Sequence, residues 1–200
     1  MDEKALVASA RRGDTRAFNE LVSHYQDMVY NVSYRILGDA EAAADASQDA
    51  FLSAYQAVDR FKGGSFKAWL LRIATNACYD QLRVKKRRPT SSLEALYTDS
   101  HASSHFINGR ETPEEHTLRQ ELGQTIQLGI STLAPDQRVT LVLSDVQGLS
   151  YKEIAQVTGV SVGTVKSRLS RARASLRDYL SIRGELLPAR YRLKDEDQNA

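Results

Sequence analysis

Residues 149–177 read LSYKEIAQVTGVSVGTVKSRLSRARASLR, and this stretch decides the fold. Ser150 followed three residues later by Glu153 is a capping box, in which each side chain satisfies the other's free backbone N–H, so a helix starts there. Gly159 stands where that helix must end, and Ser161 can cap a second one by accepting from its first free N–H groups. In the second helix Val162, Val165, Leu169, Ala172 and Leu176 recur at helical spacing, a single stripe that must face a core. The segment is predicted to be two short helices around a tight turn.

At about 100° per residue, the face opposite that stripe carries Gly163, Ser167, Ser170, Arg171 and Ala174, flanked by Thr164, Lys166, Arg168 and Arg177. Small residues in the middle and cations at the edges make a narrow face. Such a face can enter a major groove about 12 Å wide, with long cationic side chains reaching guanine edges or phosphates. A merely solvated cationic helix needs neither the cap, the turn nor the small-residue ridge. Their agreement points to a DNA-reading helix-turn-helix.

The 200 residues, 42% of them hydrophobic, suit one or two modest globular domains. A formal net charge of +2 says little about nucleic acid, but its distribution says more. Lys85-Lys86-Arg87-Arg88 and the helix from Lys166 to Arg177 gather cations, while 39–49 and 111–115 gather acids, so the faces are polarised. The single cysteine, Cys78, excludes an internal disulfide and argues against a zinc site; beside Ala74 and Ala77 it reads as a small core residue in a reducing cytoplasm. His101 and His105 lie four apart in a polar segment without partner ligands, so no metal and no cofactor is expected. No signal peptide or membrane span is expected either, which places the protein in the cytoplasm. No nucleophile with a base, phosphate loop or metal constellation is legible, so neither an enzyme nor a small-molecule substrate is expected.

Residues 1–88 read as four helices punctuated by Gly13-Asp14, Gly38-Asp39 and Gly63-Gly64-Ser65. Phe18, Leu21, Val22, Tyr25, Val29 and Val32 form the apolar stripe of the second helix; Ala50, Phe51, Ala54 and Val58 that of the third; Trp69, Leu70, Ile73, Ala77 and Leu82 that of the fourth. Residues 89–112, rich in Ser and Thr and without a sustained period, read as a flexible linker between domains that need not touch. The second domain spans 113–182. A helix begins at Pro113 and runs to about Leu133, another covers Pro135 to Val146, and the helix-turn-helix follows. Gly123 and Gly129 each weaken the first of these by about 1 kcal/mol relative to Ala. Residues 183–200 read as a mobile tail with a short contact through Leu186, Leu187 and Tyr191.

Two helical domains of this kind, with Asp45-Ala-Ser-Gln48-Asp49-Ala-Phe51 and Trp69-Leu-Leu-Arg72-Ile-Ala-Thr-Asn76 in the first, Asp80 four residues later and GTVKSRLSRAR in the second, resemble a bacterial RNA polymerase sigma factor of the sigma-70 family. The similarity is to the small extracytoplasmic-function group, since there is no room for the extra middle domain of the large sigma factors. It implies an all-α fold in which 1–88 corresponds to sigma region 2 and 113–182 to sigma region 4. By position, Asp45, Gln48 and Asp49 match the helix that docks on the largest polymerase subunit, and Phe51 there reads as core. The loop DRFKGGSF, 59–66, matches the specificity loop that captures a flipped base of the minus-ten element. In it Gly63 and Gly64 permit close approach, Ser65 belongs to the turn, Phe61 and Phe66 offer stacking faces, and Lys62 with Lys67 can hold phosphates. Arg72, Asn76, Asp80 and Arg83 follow on one side of a helix, and Trp69 is either a core anchor or a stacking residue. Lys166, Ser167, Ser170 and Arg171 match the readers of the minus-thirty-five element, with Arg168 and Arg173 on phosphates.

The resemblance implies an alternative sigma factor, responsive to stress or envelope signals, whose partners are core RNA polymerase, promoter DNA and an anti-sigma factor. The competing reading is a conventional helix-turn-helix regulator that binds duplex operators alone; it has no need of the 45–51 motif or the glycine loop.

Overall fold

The computed structural model describes residues 2–87 and 113–182; the expected linker, the expected tail, His101 and His105 lie outside them. The described residues form helices and turns without a strand. In the first domain α1 (Glu3–Ala10), α2 (Thr15–Leu37), α3 (Ala40–Ala57) and α4 (Phe66–Arg87) are the four expected helices, with a 3-10 turn at Val58–Arg60. Their limits are set by capping chemistry. Asp14 accepts from the amides of Arg16 and Ala17 at 2.9 and 3.2 Å, and Asp39 accepts from Ala42 N–H at 2.9 Å, so α2 and α3 each begin where an aspartate satisfies free donors. Gly38 ends α2 at φ 70°, a left-handed conformation that costs a glycine nothing.

In the second domain α5 (Pro113–Thr132) leads to α6 (Pro135–Leu141), which widens into a π turn at Val142–Val146 rather than continuing as the expected α-helix. Next come α7 (Tyr151–Thr158) and α8 (Val162–Ile182).

Two apolar cores organise these elements. The first lies within the first domain and includes Phe18, Leu21, Val29, Ala54, Phe66 and Leu70. The second is shared: Val32, Ile36, Leu71 and Cys78 of the first domain pack in one cluster with Leu133, Val139, Leu149, Ile154 and Leu169 of the second. The expectation that the domains need not touch is thus overturned, because α4 buries a second stripe. Leu71, Thr75 and Cys78 lie one position beyond Leu70, Ala74 and Ala77, and all three are buried. Cys78 is a core residue as expected, and burial pushes its thiol up to about 11.

Gly129 has a packing reason that its sequence position concealed. A Cβ there would meet Leu176 Cδ1 at 2.6 Å and Tyr179 Cδ1 at 2.9 Å, so α8 approaches the bare backbone of α5. At Gly123 a Cβ would meet nothing within 4 Å. Gly129→Ala is expected to destabilise the chain by about 1–3 kcal/mol through overpacking, and Gly123→Ala to stabilise it by up to about 1 kcal/mol. Urea unfolding of the two variants measures both; the same sign at both positions would rule out this approach of α8 to α5.

Candidate nucleic-acid and partner interfaces

The α7–α8 unit is specified by hydrogen bonds predicted from its sequence. Ser150 N–H donates to Glu153 Oε2 at 2.9 Å and Glu153 N–H to Ser150 Oγ at 3.3 Å, closing the capping box. Gly159 turns the chain at φ 70°, and Thr164 N–H donates to Ser161 Oγ at 3.1 Å. Val165, Leu169 and Ala172 are buried and Leu176 packs at their edge. Val162, expected on the same stripe, is the first residue of α8 and is 37% exposed. Lys166, Ser167, Ser170 and Arg171 are all exposed. The sequence-derived outward face is therefore bare.

Two arginines of α8 are held by aspartates. Arg168 donates to Asp136 Oδ2 at 2.5 Å, and Arg173 makes a fork to Asp145, with Nε at 3.0 Å and Nη2 at 2.6 Å. Those bonds hold the Asp145 carboxyl below its usual range, against the opposing effect of its partial burial. A carboxyl depressed in the folded state contributes stability above its ordinary pKa, near 3.9, and loses it as pH falls through the lower folded value. Acidification toward neutrality leaves the pair intact.

In the first domain the loop between the 3-10 turn and α4 exposes Lys62, Gly63, Gly64 and Ser65, with the glycines at φ 95° and 93°. Ser65 Oγ accepts from Ala68 N–H at 3.1 Å and so caps α4. Phe61 and Phe66 are 6% and 2% exposed and belong to the first core, which corrects the expectation that they offer stacking faces. The two rings lie edge to face, each with its centroid 5.3 Å from that of the half-buried Trp69. The three aromatics form a plinth under the glycine loop, since burying large rings gains more than leaving them at a loop tip. Beyond it Arg72, Asn76, Asp80 and Arg83 run along an exposed face of α4, with Arg83 paired to Asp80 at 2.8 Å. Lys67 turns the other way and donates to Gln147 C=O of the second domain at 2.9 Å.

Asp45, Gln48 and Asp49 are exposed on α3. Beside them an open groove of about 670 Å³ runs between α2 and α3, lined by Val22, Tyr30, Gln48, Phe51, Leu52 and Tyr55 among others. Phe51 is half-buried against the first core, whereas Leu52 is 62% and Tyr55 46% exposed. These last two were missed in the sequence, although they follow Gln48 by four and seven residues and so share its helical face. Among the described residues no three His, Cys, Asp or Glu side chains gather as a metal site, and no helix is long and apolar enough to cross a membrane.

Comparison with known proteins covers both domains. Residues 21–88 match the family Sigma-70 region 2, and residues 123–176 match Sigma-70, region 4. The chain is 39% identical over 176 residues to the RNA polymerase sigma-H factor of Pseudomonas aeruginosa, covering 87% of this chain and 91% of that one. It is 37% identical over 178 residues to the ECF RNA polymerase sigma-E factor of Escherichia coli K12, covering 88% and 93%. Among solved structures it is similar to CnrH in complex with the cytosolic domain of CnrY, with a TM-score of 0.66, 27% identity and coverage of 91% of this chain and 99% of that one. It is also similar to the sigma factor RpoE bound to the anti-sigma factor NepR from Bartonella quintana, with a TM-score of 0.63, 26% identity and coverage of 82% and 97%.

The aromatic plinth gives a direct stability test. Phe66→Ala is expected to cost about 3–5 kcal/mol, the range for deleting a buried ring, and Lys62→Ala less than about 0.5 kcal/mol, as for an exposed side chain. Urea titration separates the two, and a mild effect at Phe66 would return it to the role of a free stacking face.

Proposed function

The chain belongs to the extracytoplasmic-function group of the sigma-70 family, and we propose that it joins core RNA polymerase, carries it to promoters and helps open the upstream edge of the bubble. Its relatives favour this over a conventional helix-turn-helix regulator. The observation that carries the reading is the presence of two DNA-suited surfaces on separate domains, the exposed face of α8 and the exposed glycine loop with α4. A duplex-binding regulator needs only the first.

On α8, Arg171 and Lys166 are the candidates for guanine edges, with Ser167 and Ser170 leaving room for close approach. Arg168 and Arg173 would exchange their aspartates for phosphates. At the minus-ten element a base leaving the stack would meet the exposed backbone of Gly63 and Gly64, held by the Phe61, Phe66 and Trp69 cluster. Asn76 offers the paired donor and acceptor that suit adenine, and Arg72 and Arg83 offer charge to the strand. Capture of such a base offsets the few kcal/mol of unpairing and unstacking. Melting on this account uses binding energy alone, and the chain catalyses no reaction itself. The work takes place in the cytoplasm.

Polymerase docking is assigned to Asp45, Gln48 and Asp49, with the apolar flank of Leu52 and Tyr55 beside them. An acidic rim beside a partly apolar groove suits a basic partner surface with an apolar ridge. An anti-sigma factor of the kind named with RpoE from Bartonella quintana would act by covering such faces.

Transcription in vitro from a library of random upstream sequences, with core polymerase, is expected to yield transcripts that depend on this chain and share two spaced elements. Duplex binding without initiation would reject the proposal. Arg171→Ala is expected to weaken promoter recognition by about 1–3 kcal/mol, the scale of a lost bidentate base contact, while polymerase retention is unchanged. Asp45→Ala combined with Gln48→Ala is expected to do the reverse, losing polymerase in a pull-down; full retention would remove the docking assignment.

A further inference from the structure

Helix α1 takes no part in the surfaces described above, yet it reaches the aromatic plinth on which the glycine loop stands. Tyr25 Oη donates to Glu3 Oε2, tying α2 to the first residue of α1. The Tyr25 ring, 6% exposed, lies against Phe66 with centroids 5.7 Å apart, and Phe66 in turn meets Phe61 and Trp69. Resting on the minus-ten reading above, we propose that Tyr25 and Glu3 are positioning residues for base capture: through Phe66 they fix the Gly63-Gly64 backbone in the geometry that tells one captured base from another.

The loop has little else to hold it. A Cβ at Gly63 or Gly64 would meet nothing within 4 Å, so nothing packs against the loop at those positions. Its place is set by its two ends, Phe61 and Phe66, both buried. Whatever orients those rings orients the backbone between them. Helix α1 bears on both ends: Val7 and Ala10 share the first core with Val58 and Phe61 before the loop, and Glu3 holds the tyrosine that meets Phe66 after it.

The Tyr25 hydroxyl has no packing purpose. A phenylalanine would fill the same core, whereas a buried phenol is costly unless hydrogen-bonded. Nor does α1 need Glu3 as a cap, because Asp2 Oδ1 already accepts from Ala5 N–H at 3.1 Å. What the bond adds is orientation. A hydrogen bond to a carboxylate is charge-assisted and directional, so it limits the depth and the rotation of the ring against which Phe66 rests. Burial, with Glu3 beside it, pushes the ionisation of the phenol far above its usual range, so Tyr25 remains the donor at any pH near neutrality. A binding site whose supporting groups are locked discriminates better than a loose one.

The test uses core polymerase with the full chain, on a pre-melted template carrying a promoter recovered from the random library, with each minus-ten position changed in turn. The ratio of transcription between the preferred base and its alternatives measures capture. In Tyr25→Phe and in Glu3→Ala the ratio at one minus-ten position is expected to fall roughly two- to tenfold, the range of one lost hydrogen bond, while discrimination at the minus-thirty-five element is unchanged. Glu3→Gln keeps an acceptor and should recover most of the ratio. The double variant Tyr25→Phe, Glu3→Ala should fall no further than either single one, as for two partners in one bond. Trp69, the only tryptophan, gives a spectroscopic readout: its emission maximum in the free chain should shift in the first two variants and stay in place in Glu3→Gln. A bond that serves stability alone would lower the unfolding midpoint and leave the base ratio as it is. That result, or equal loss at both promoter elements, overturns the proposal. Should Tyr25→Phe fail to fold, Glu3→Ala, at a half-buried position on the first turn of α1, carries the same comparison. Absence of chain-dependent transcripts from the unsubstituted chain defeats the sigma reading, and the proposal with it; a ratio untouched by the variants in a working holoenzyme defeats the proposal alone.

Discussion

Helix α4 carries buried positions that turn toward two different cores, Leu70 and Ala74 toward one and Leu71 and Cys78 toward the other. A helix buried along one stripe belongs to one domain; a helix buried along two is the wall between a pair. The first stripe closes the bundle with α2 and α3, and the second receives Leu149, Ile154 and Val157 from the other domain. What remains of α4 is a narrow polar face, Arg72, Asn76, Asp80 and Arg83, and its position outside both cores follows from the other two faces being occupied.

Charge placement follows a similar logic. With a net charge of +2 the molecule has no strong overall field, so local arrangement does the discriminating. On α8 Lys166, Ser167, Ser170 and Arg171 are exposed while Arg168 and Arg173 are held by Asp136 and Asp145, each pair bridging α8 to an element before it in the chain. Partly exposed pairs of this kind are worth little as stabilisers. Their effect is to fix the heads of Arg168 and Arg173 beside the exposed face of α8. The acidic rim lies on α3, a different helix from α4 and α8, which carry the exposed arginines Arg72, Arg83 and Arg171.

Local signals were legible in the sequence to the residue. Ser150 with Glu153, Gly159, Ser161, Asp14, Gly38 and Asp39 all act where their chemistry places them, because caps and left-handed turns depend on atoms within four residues of one another. The exposed face of α8 and the polar face of α4 were legible for the same reason, as products of a fixed helical period. Leu52 and Tyr55 were readable from the spacing that singled out Gln48, but an exposed apolar residue on a helix carries no local mark distinguishing it from a buried one.

What the sequence by itself determined was the set of helices, their ends and the faces they offer; which faces meet was decided only in three dimensions. Phe61 and Phe66 look like loop-tip aromatics and prove to be core, because Tyr25 of α2 packs on Phe66, and Phe61 packs on Phe66 and Trp69 of α4. Gly129 looks like a weak point in α5 and proves to be where α8 comes close. The shared core, Arg138 on the end of α2 and Lys67 on Gln147 join residues about eighty to a hundred apart in the chain, and no periodicity within a helix encodes such a pairing. Helical period and capping are properties of neighbours along the backbone, whereas domain contact is a property of surfaces whose complementarity exists only once both are folded.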